Sequence, residues 1–242
     1  MDIFNQEDFK LIDLNCYYGC WPDRTMPLTE TKKINDYLEK GFSHICLAST
    51  RALFLNSYSG NNEIYSFTSD NSNLLPVVVM PHHLEEIYDL KLFKDKWLKI
   101  FRTVSINNLV GHKWLSYIAE IEGNVIVPYS MGSYNSVSSL AKQHKKISFV
   151  LTSVNYPQLP EVLALLANLE NVYIEISCFQ LCNGIEYLCK NIGPEKILLG
   201  SNYPVYTPES VLLKFNEADI SYKSKRMIGR GNIERLLGGN LL

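Results

Sequence analysis

Two adjacent imidazoles, His82 and His83, follow Pro81 at the end of the apolar run Pro76-Val77-Val78-Val79-Met80. An imidazole titrates near neutrality and can carry a proton to or from a substrate. Neighbouring side chains on an extended segment diverge, so at most one of the two faces a given cleft. The plainer reading is a polar start for a helix at Leu84-Glu85-Glu86. Arg102 closes Lys99-Ile100-Phe101-Arg102, where a guanidinium offers a planar fork to a carboxylate or phosphate. An internal ion pair with Asp13 or Glu175 would use the same fork without a ligand. Glu175 is accordingly either an acid of the same cleft or the partner of Arg102. Tyr17, Tyr18, Tyr129 and Tyr203, with Trp21, would form an aromatic, hydrogen-bonding wall of the kind that holds small molecules.

Sulfur offers a second chemistry. Cys16 and Cys20 stand near one end of the chain and Cys178 and Cys182 near the other. Thiolates favour soft metals, while free cysteine is commonly a small buried hydrophobe. Among the remaining histidines, His44 opens a strand, His112 follows Gly111, and His144 reads as a solvated helix end.

These residues are carried by alternating elements. Strands are expected at Leu11–Leu14, His44–Ala48, Leu75–Met80, Leu98–Arg102, Val125–Tyr129, Ile147–Leu151, Val172–Ile176 and Ile197–Gly200. Several are continuous apolar runs, as strands buried on both faces are. Helices are expected over Leu28–Lys40, ending at Gly41, and near Asn61–Ser69, Leu84–Lys94, Lys113–Ile121, Asn135–Gln143, Leu159–Ala167, Leu181–Asn191 and Pro208–Ala218. The second helix is the weakest, because Asn56–Asn73 is rich in Ser, Asn and Gly and reads largely as loop. Eight strand–helix units in 242 residues suit one (β/α)₈ TIM barrel over 1–242, a fold of about 250 residues. A doubly wound sheet lacks the Gly-x-Gly-x-x-Gly turn after the first strand.

Two short segments carry a family resemblance. Leu11-Ile12-Asp13-Leu14-Asn15-Cys16-Tyr17 and Ile197-Leu198-Leu199-Gly200-Ser201-Asn202-Tyr203-Pro204 resemble the opening Asp-x-His-x-His and closing Gly-Thr-Asp-(aromatic)-Pro signatures of the amidohydrolase-related metal-dependent hydrolases. Lys145–Ser153, Leu169–Ser177, Asn124–Ser130 and the tail Gly231-Asn232-Ile233-Glu234-Arg235-Leu236 are similar to further segments of that family. The resemblance implies an amidohydrolase-like barrel with its chemistry at the C-terminal mouth. It also implies a hydrolase or decarboxylase acting on a small carboxylate-bearing molecule, and a divalent metal such as zinc.

The metal-binding side chains are nevertheless replaced. Asn15 and Tyr17 stand where the family has histidines, Asn202 where it has aspartate, and the strand-five and strand-six histidines are missing too. A zinc site needs imidazole, thiolate or carboxylate donors and an open position for water, so no metal is expected. Alternation along the first strand puts Asp13, Asn15 and Tyr17 on one face and Leu14 and Cys16 on the other; in the family register the first set enters the mouth. The expected ligand-binding set is Asn15, Tyr17, Tyr129 (or Ser130), Ser153 (or Thr152), Glu175 (or Ser177) and Asn202, with His82, His83 and Arg102 as catalytic groups. The alternative is a non-catalytic descendant that binds a small molecule or serves as a scaffold.

Composition excludes other classes. With 46% hydrophobic residues the chain can bury a large core, and a net charge of -2 provides no basic field for nucleic acid or an acidic membrane. No apolar run approaches the roughly 20 residues of a membrane span. The polar start Met1-Asp2-Ile3-Phe4 is unlike a secretion signal, and six cysteines without a Cys-x-x-Cys pair suggest a reduced, cytoplasmic protein. A small anionic molecule is the expected partner, and a homo-oligomer is compatible with the chain.

Overall fold

The computed structural model describes residues 9–21, 24–25, 31–82 and 99–239. Eight parallel strands follow one another in sequence order: β1 (Leu11–Tyr18), β4 (Phe42–Ser49), β5 (Leu74–Val79), β6 (Ile100–Arg102), β7 (Asn124–Pro128), β8 (Ser148–Thr152), β9 (Val172–Glu175) and β10 (Ile197–Leu198). The ring closes between the last and first strands. Leu14 N donates to Leu199 O at 3.2 Å, Tyr17 N donates to Tyr203 O at 3.0 Å, and Cys16 and Tyr203 form a parallel bridge. A small hairpin, β2 (Cys20–Trp21) with β3 (Arg24–Thr25), extends β1 beyond its C-terminal end.

Helices α1 (Thr31–Leu38), α3 (Ser57–Thr68), α4 (Trp114–Glu120), α5 (Tyr134–Gln143), α6 (Leu159–Asn168), α7 (Gly184–Ile192) and α8 (Pro208–Glu217) lie between or after the strands. A short α2 (Thr50–Phe54) precedes α3, and α9 (Tyr222–Arg226) leads through one π-helical turn into α10 (Asn232–Leu236). The helix expected at Leu84–Lys94 lies outside the described residues. Among the described residues no helix is long and apolar enough to cross a membrane.

The alternation of strand side chains builds two separate apolar layers. Val77, Ile100, Ile126, Val150, Tyr173 and Leu198 fill the barrel interior, closed from below by Ile233 of α10. Val78, Phe101, Val125, Phe149, Ile174 and Leu199 face the surrounding helices. This places the residue two positions after each of these inner residues at the upper interior. Thus Ile100 leads to Arg102, Val150 to Thr152, and Tyr173 to Glu175.

The helix expected near Asn61–Ser69 is present and begins four residues earlier, at Ser57, so twelve residues of the Asn56–Asn73 segment are helix rather than loop. Asn56 caps it by accepting from Ser59 N at 2.9 Å, which satisfies one of the free amides of the first turn. Asn61 then holds β5 like a backbone segment: its Nδ2 donates to Val79 O at 2.8 Å and its Oδ1 accepts from Val79 N at 2.9 Å. The polar composition that suggested loop supplies the cap and this tertiary bracket.

A second correction concerns β1. Asp13 pairs with Ile45 and Cys16 with Leu47, so three residues of β1 span two of β4. This bulge turns Leu14, Asn15 and Tyr17 inward, while Asp13 and Cys16 face outward. Strict alternation had grouped Asp13 with Asn15 and Leu14 with Cys16; one extra residue in a strand reverses the sequence of faces.

Candidate active site at the barrel mouth

A polar layer lies at the C-terminal ends of the strands, above the apolar interior. Asn15, Tyr17, Arg102, Glu175 and Asn202 are all buried there. Arg102 Nη1 donates to Asn15 Oδ1 at 2.8 Å and Nη2 donates to the Tyr17 hydroxyl. The guanidinium carbon lies 4.8 Å from the centroid of the Tyr17 ring. Asn15 Nδ2 donates to Glu175 Oε2 at 3.0 Å and, more weakly, to Asn202 Oδ1 at 3.4 Å. Among the described residues Arg102 forms no ion pair with Asp13 or Glu175. It is bound instead to two neutral oxygens.

Glu175 is held by its own strand end. Ser177 donates to it through both its backbone amide and its hydroxyl, the latter at 2.8 Å. Burial pushes its carboxyl up to about 7, against the opposing effect of the Ser177 hydrogen bonds. Gly200 is required by this arrangement, since a Cβ there would lie 2.6 Å from Glu175 Oε1. Lys214 of α8 reaches under the same turn and donates to Ile176 O at 2.6 Å and Phe179 O at 3.1 Å. Burial lowers its pKa and the nearby Glu175 raises it.

Asp13 serves a different purpose from the one its motif position suggested. Its Oδ1 accepts from Asn15 N at 2.9 Å and Ser201 N at 3.0 Å, while Oδ2 accepts from the Tyr37 hydroxyl. Tyr37 is itself buried, and burial raises its pKa, so it remains a donor. Asp13 therefore ties the first and last strands together behind the polar layer. Tyr37 carried no sequence signal for this role; only the packing of α1 reveals it.

The remaining expected site residues divide. Thr152 enters the upper interior, and its buried Oγ1 has no hydrogen-bond partner among the described residues. Ser153, the expected ligand contact, lies one residue beyond the strand with a left-handed φ of 60°. Tyr129 belongs to the outer layer and donates to Glu161 Oε2 of α6 at 2.6 Å, away from Arg102. Burial and Glu161 both raise its pKa. The strand alternation that brings Ile126 inward turns Val127 and Tyr129 outward. His82 is half-buried just past β5, at the same end of the barrel as Arg102. His83 lies outside the described residues.

His112 has a structural position: its Nδ1 accepts from Trp114 N and its Nε2 faces Pro81 O, both at 3.1 Å. Tyr17, Trp21 and Phe54 form an aromatic file from the polar layer outward, with edge-to-face pairs at 5.4 and 4.9 Å. Cys16 is buried against Tyr37 and Ser201 on the outer side of β1, while Cys20 and Cys182 are exposed.

The donor set does not fit the divalent metal of the resembling family. No cluster of three or more His, Cys, Asp or Glu side chains suited to a metal occurs among the described residues. Two neutral oxygens and a guanidinium occupy the place where imidazoles would be needed.

An eight-stranded parallel barrel with its polar groups gathered at the C-terminal mouth defines a (β/α)₈ TIM barrel. A sequence model of the amidohydrolase family matches residues 136–239. No curated protein sequence matches the chain. Among solved structures, an uncharacterised TIM-barrel protein of Bordetella bronchiseptica is 13% identical with a TM-score of 0.74, covering 95% of this chain and 98% of that one. A 2,6-dihydroxybenzoate decarboxylase from Rhizobium is 11% identical, with a TM-score of 0.70 and coverage of 95% and 98%. A 5-carboxyvanillate decarboxylase of Novosphingobium aromaticivorans, complexed with manganese and 4-hydroxy-3-methoxy-5-nitrobenzoic acid, is 10% identical, with a TM-score of 0.73 and coverage of 96% and 97%. Over residues 136–239, less than half of its length, the chain is similar to the amidohydrolase family, and the solved structures share its barrel fold.

Proposed function

We propose that the barrel mouth takes a small carboxylate-bearing molecule and removes its carboxyl group without a metal. Arg102 anchors the anion and Glu175 supplies the proton. The observation that carries this reading is the state of Arg102: a buried guanidinium bound only to neutral oxygens, Asn15 Oδ1 and Tyr17 OH, among the described residues. A buried cation without a counter-ion is costly, and an anionic ligand relieves that cost. The inward hydroxyl of Thr152, left without a partner among the described residues, provides a donor for the same ligand.

Loss of carbon dioxide breaks a carbon–carbon bond and leaves the electron pair on carbon, which must gain a proton. A carboxyl pushed up to about 7 is substantially protonated near neutrality and suited to that transfer. Solvent then returns the proton to Glu175. Glu175 takes this role over His82 because it shares Asn15 with Arg102, so anion anchor and proton donor are set by one side chain. The aromatic file from Tyr17 to Trp21 favours an aromatic carboxylate. Two structural neighbours, named as decarboxylases of 2,6-dihydroxybenzoate and 5-carboxyvanillate, act on that class.

A binding-only role is the second reading. It is favoured by the degree to which Arg102, Asn15, Tyr17 and Glu175 already satisfy one another.

The test is incubation of the protein with 2,6-dihydroxybenzoate and 5-carboxyvanillate in the presence of a chelator, with carbon dioxide release followed. Release by the parent, its loss in Glu175→Gln with binding retained, and loss of both in Arg102→Ala are expected. Binding without release in the parent selects the binding-only reading. Release that stops with the chelator overturns the metal-free one.

A further inference from the structure

We infer that Arg102 is the built-in cation of this barrel, standing in the place of the metal, and that Asn15 and Tyr17 are the residues that hold it there. Asn15 and Tyr17 occupy the motif positions at which the resembling family has its two histidines. In the present chain the same two positions meet at one guanidinium, through Oδ1 at 2.8 Å and the tyrosine hydroxyl. A metal ion and a guanidinium make opposite demands. The metal accepts lone pairs from imidazole nitrogen, whereas the guanidinium has only N–H groups to give and needs oxygen acceptors. Asn15 and Tyr17 supply those oxygens.

The charge environment completes the exchange. Glu175 faces the guanidinium across the Asn15 amide, whose Nδ2 donates to Oε2 at 3.0 Å, and Asn202 closes the same cluster at 3.4 Å. The cation is covalently tethered to β6, fixed on two sides and stacked at 4.8 Å from the Tyr17 ring. A divalent ion brought to this point would meet a fixed positive charge. The lack of metal ligands among the described residues and the presence of Arg102 are therefore one coupled replacement. This inference does not depend on whether the site decarboxylates, binds or does neither.

The decisive experiment is metal titration of two multiple variants with manganese and zinc, followed by calorimetry and elemental analysis. The triple variant Asn15→His, Tyr17→His, Asn202→Asp should hold no stoichiometric metal while Arg102 remains. Adding Arg102→Ala should raise affinity by roughly 100-fold or more, because like charges no longer meet within a few ångströms. Equal affinity in both variants overturns the inference. A folded quadruple variant that takes no metal does so as well, because Arg102 would then not fill a cation's place. A second measurement serves if the multiple variants do not fold. For Arg102→Ala alone, millimolar guanidinium chloride should raise the melting temperature where sodium chloride at equal ionic strength does not. The absence of that selective rise contradicts a cation-holding role for Asn15 and Tyr17.

Discussion

Arg102 and Glu175 meet at opposite ends of a single amide. Asn15 accepts from the guanidinium at 2.8 Å and donates to the carboxyl at 3.0 Å, so its dipole lies along the line between a cation and an acid. A direct ion pair would neutralise both groups; an amide between them links their positions without pairing their charges. Replacing Asn15 by Leu removes both contacts at once. We predict a loss of about 3 kcal/mol or more in denaturant unfolding, since two buried polar groups, one of them charged, lose their partner. Asn15→Asp should instead pair directly with Arg102 and abolish carboxylate binding while folding is retained.

Glu175 gives the stability a distinct pH dependence. Its carboxyl keeps its proton up to about 7 in the folded chain, against an ordinary value of 4.5, because burial disfavours the charged form. The stabilisation tied to that proton is fully present below the unfolded value and is lost as pH rises through about 7. On the order of 3 kcal/mol is at stake between pH 4 and pH 8. Chemical denaturation across this range should show stability falling with pH in the parent, relative to a flatter profile in Glu175→Gln. A parent and variant with parallel profiles would place the carboxyl at its ordinary value.

Gly200 tests the position of the same side chain. Its missing Cβ leaves room for Glu175 Oε1, which would otherwise be 2.6 Å away, and Ser177 and Asn15 prevent the carboxyl from swinging aside. Gly200→Ala is expected to destabilise by about 1–3 kcal/mol, the usual cost of overpacking. In a Glu175→Ser background the added methyl has space, so the two substitutions should be strongly non-additive in a double-mutant cycle.

The fold was legible because eight apolar strands separated by helical segments leave few alternatives. A barrel of eight such strands brings the last beside the first, and Leu14–Leu199 and Tyr17–Tyr203 hydrogen bonds join them. Arg102 and Glu175 could be placed together because each ends a strand at an inward position, and Asn15, Tyr17 and Asn202 because they stand at motif positions of the resembling family. Three features escaped the sequence for physical reasons. The β1 bulge moves Asp13 outward, and nothing in Leu11–Tyr17 announces an extra residue. The choice between Thr152 and Ser153, and the outward turn of Tyr129, depends on where each strand starts its alternation, which apolar residues on both faces conceal. The third helix was expected near Asn61–Ser69, but its earlier start at Ser57 was hidden because Asn56 and Asn61 act through capping and tertiary bonds that composition does not encode.

The measurement that bears most directly on the central claim is a calorimetric titration with benzoate at pH 6, where Glu175 is largely protonated and Arg102 is the unopposed charge. The account predicts saturable binding by the parent and by Tyr129→Phe, whose hydroxyl is engaged by Glu161 in the outer layer. It predicts no measurable binding by Arg102→Ala and weakened binding as the pH is raised through about 7. Binding by Arg102→Ala equal to that of the parent, or no heat from the parent at all, would contradict an anion site centred on that guanidinium.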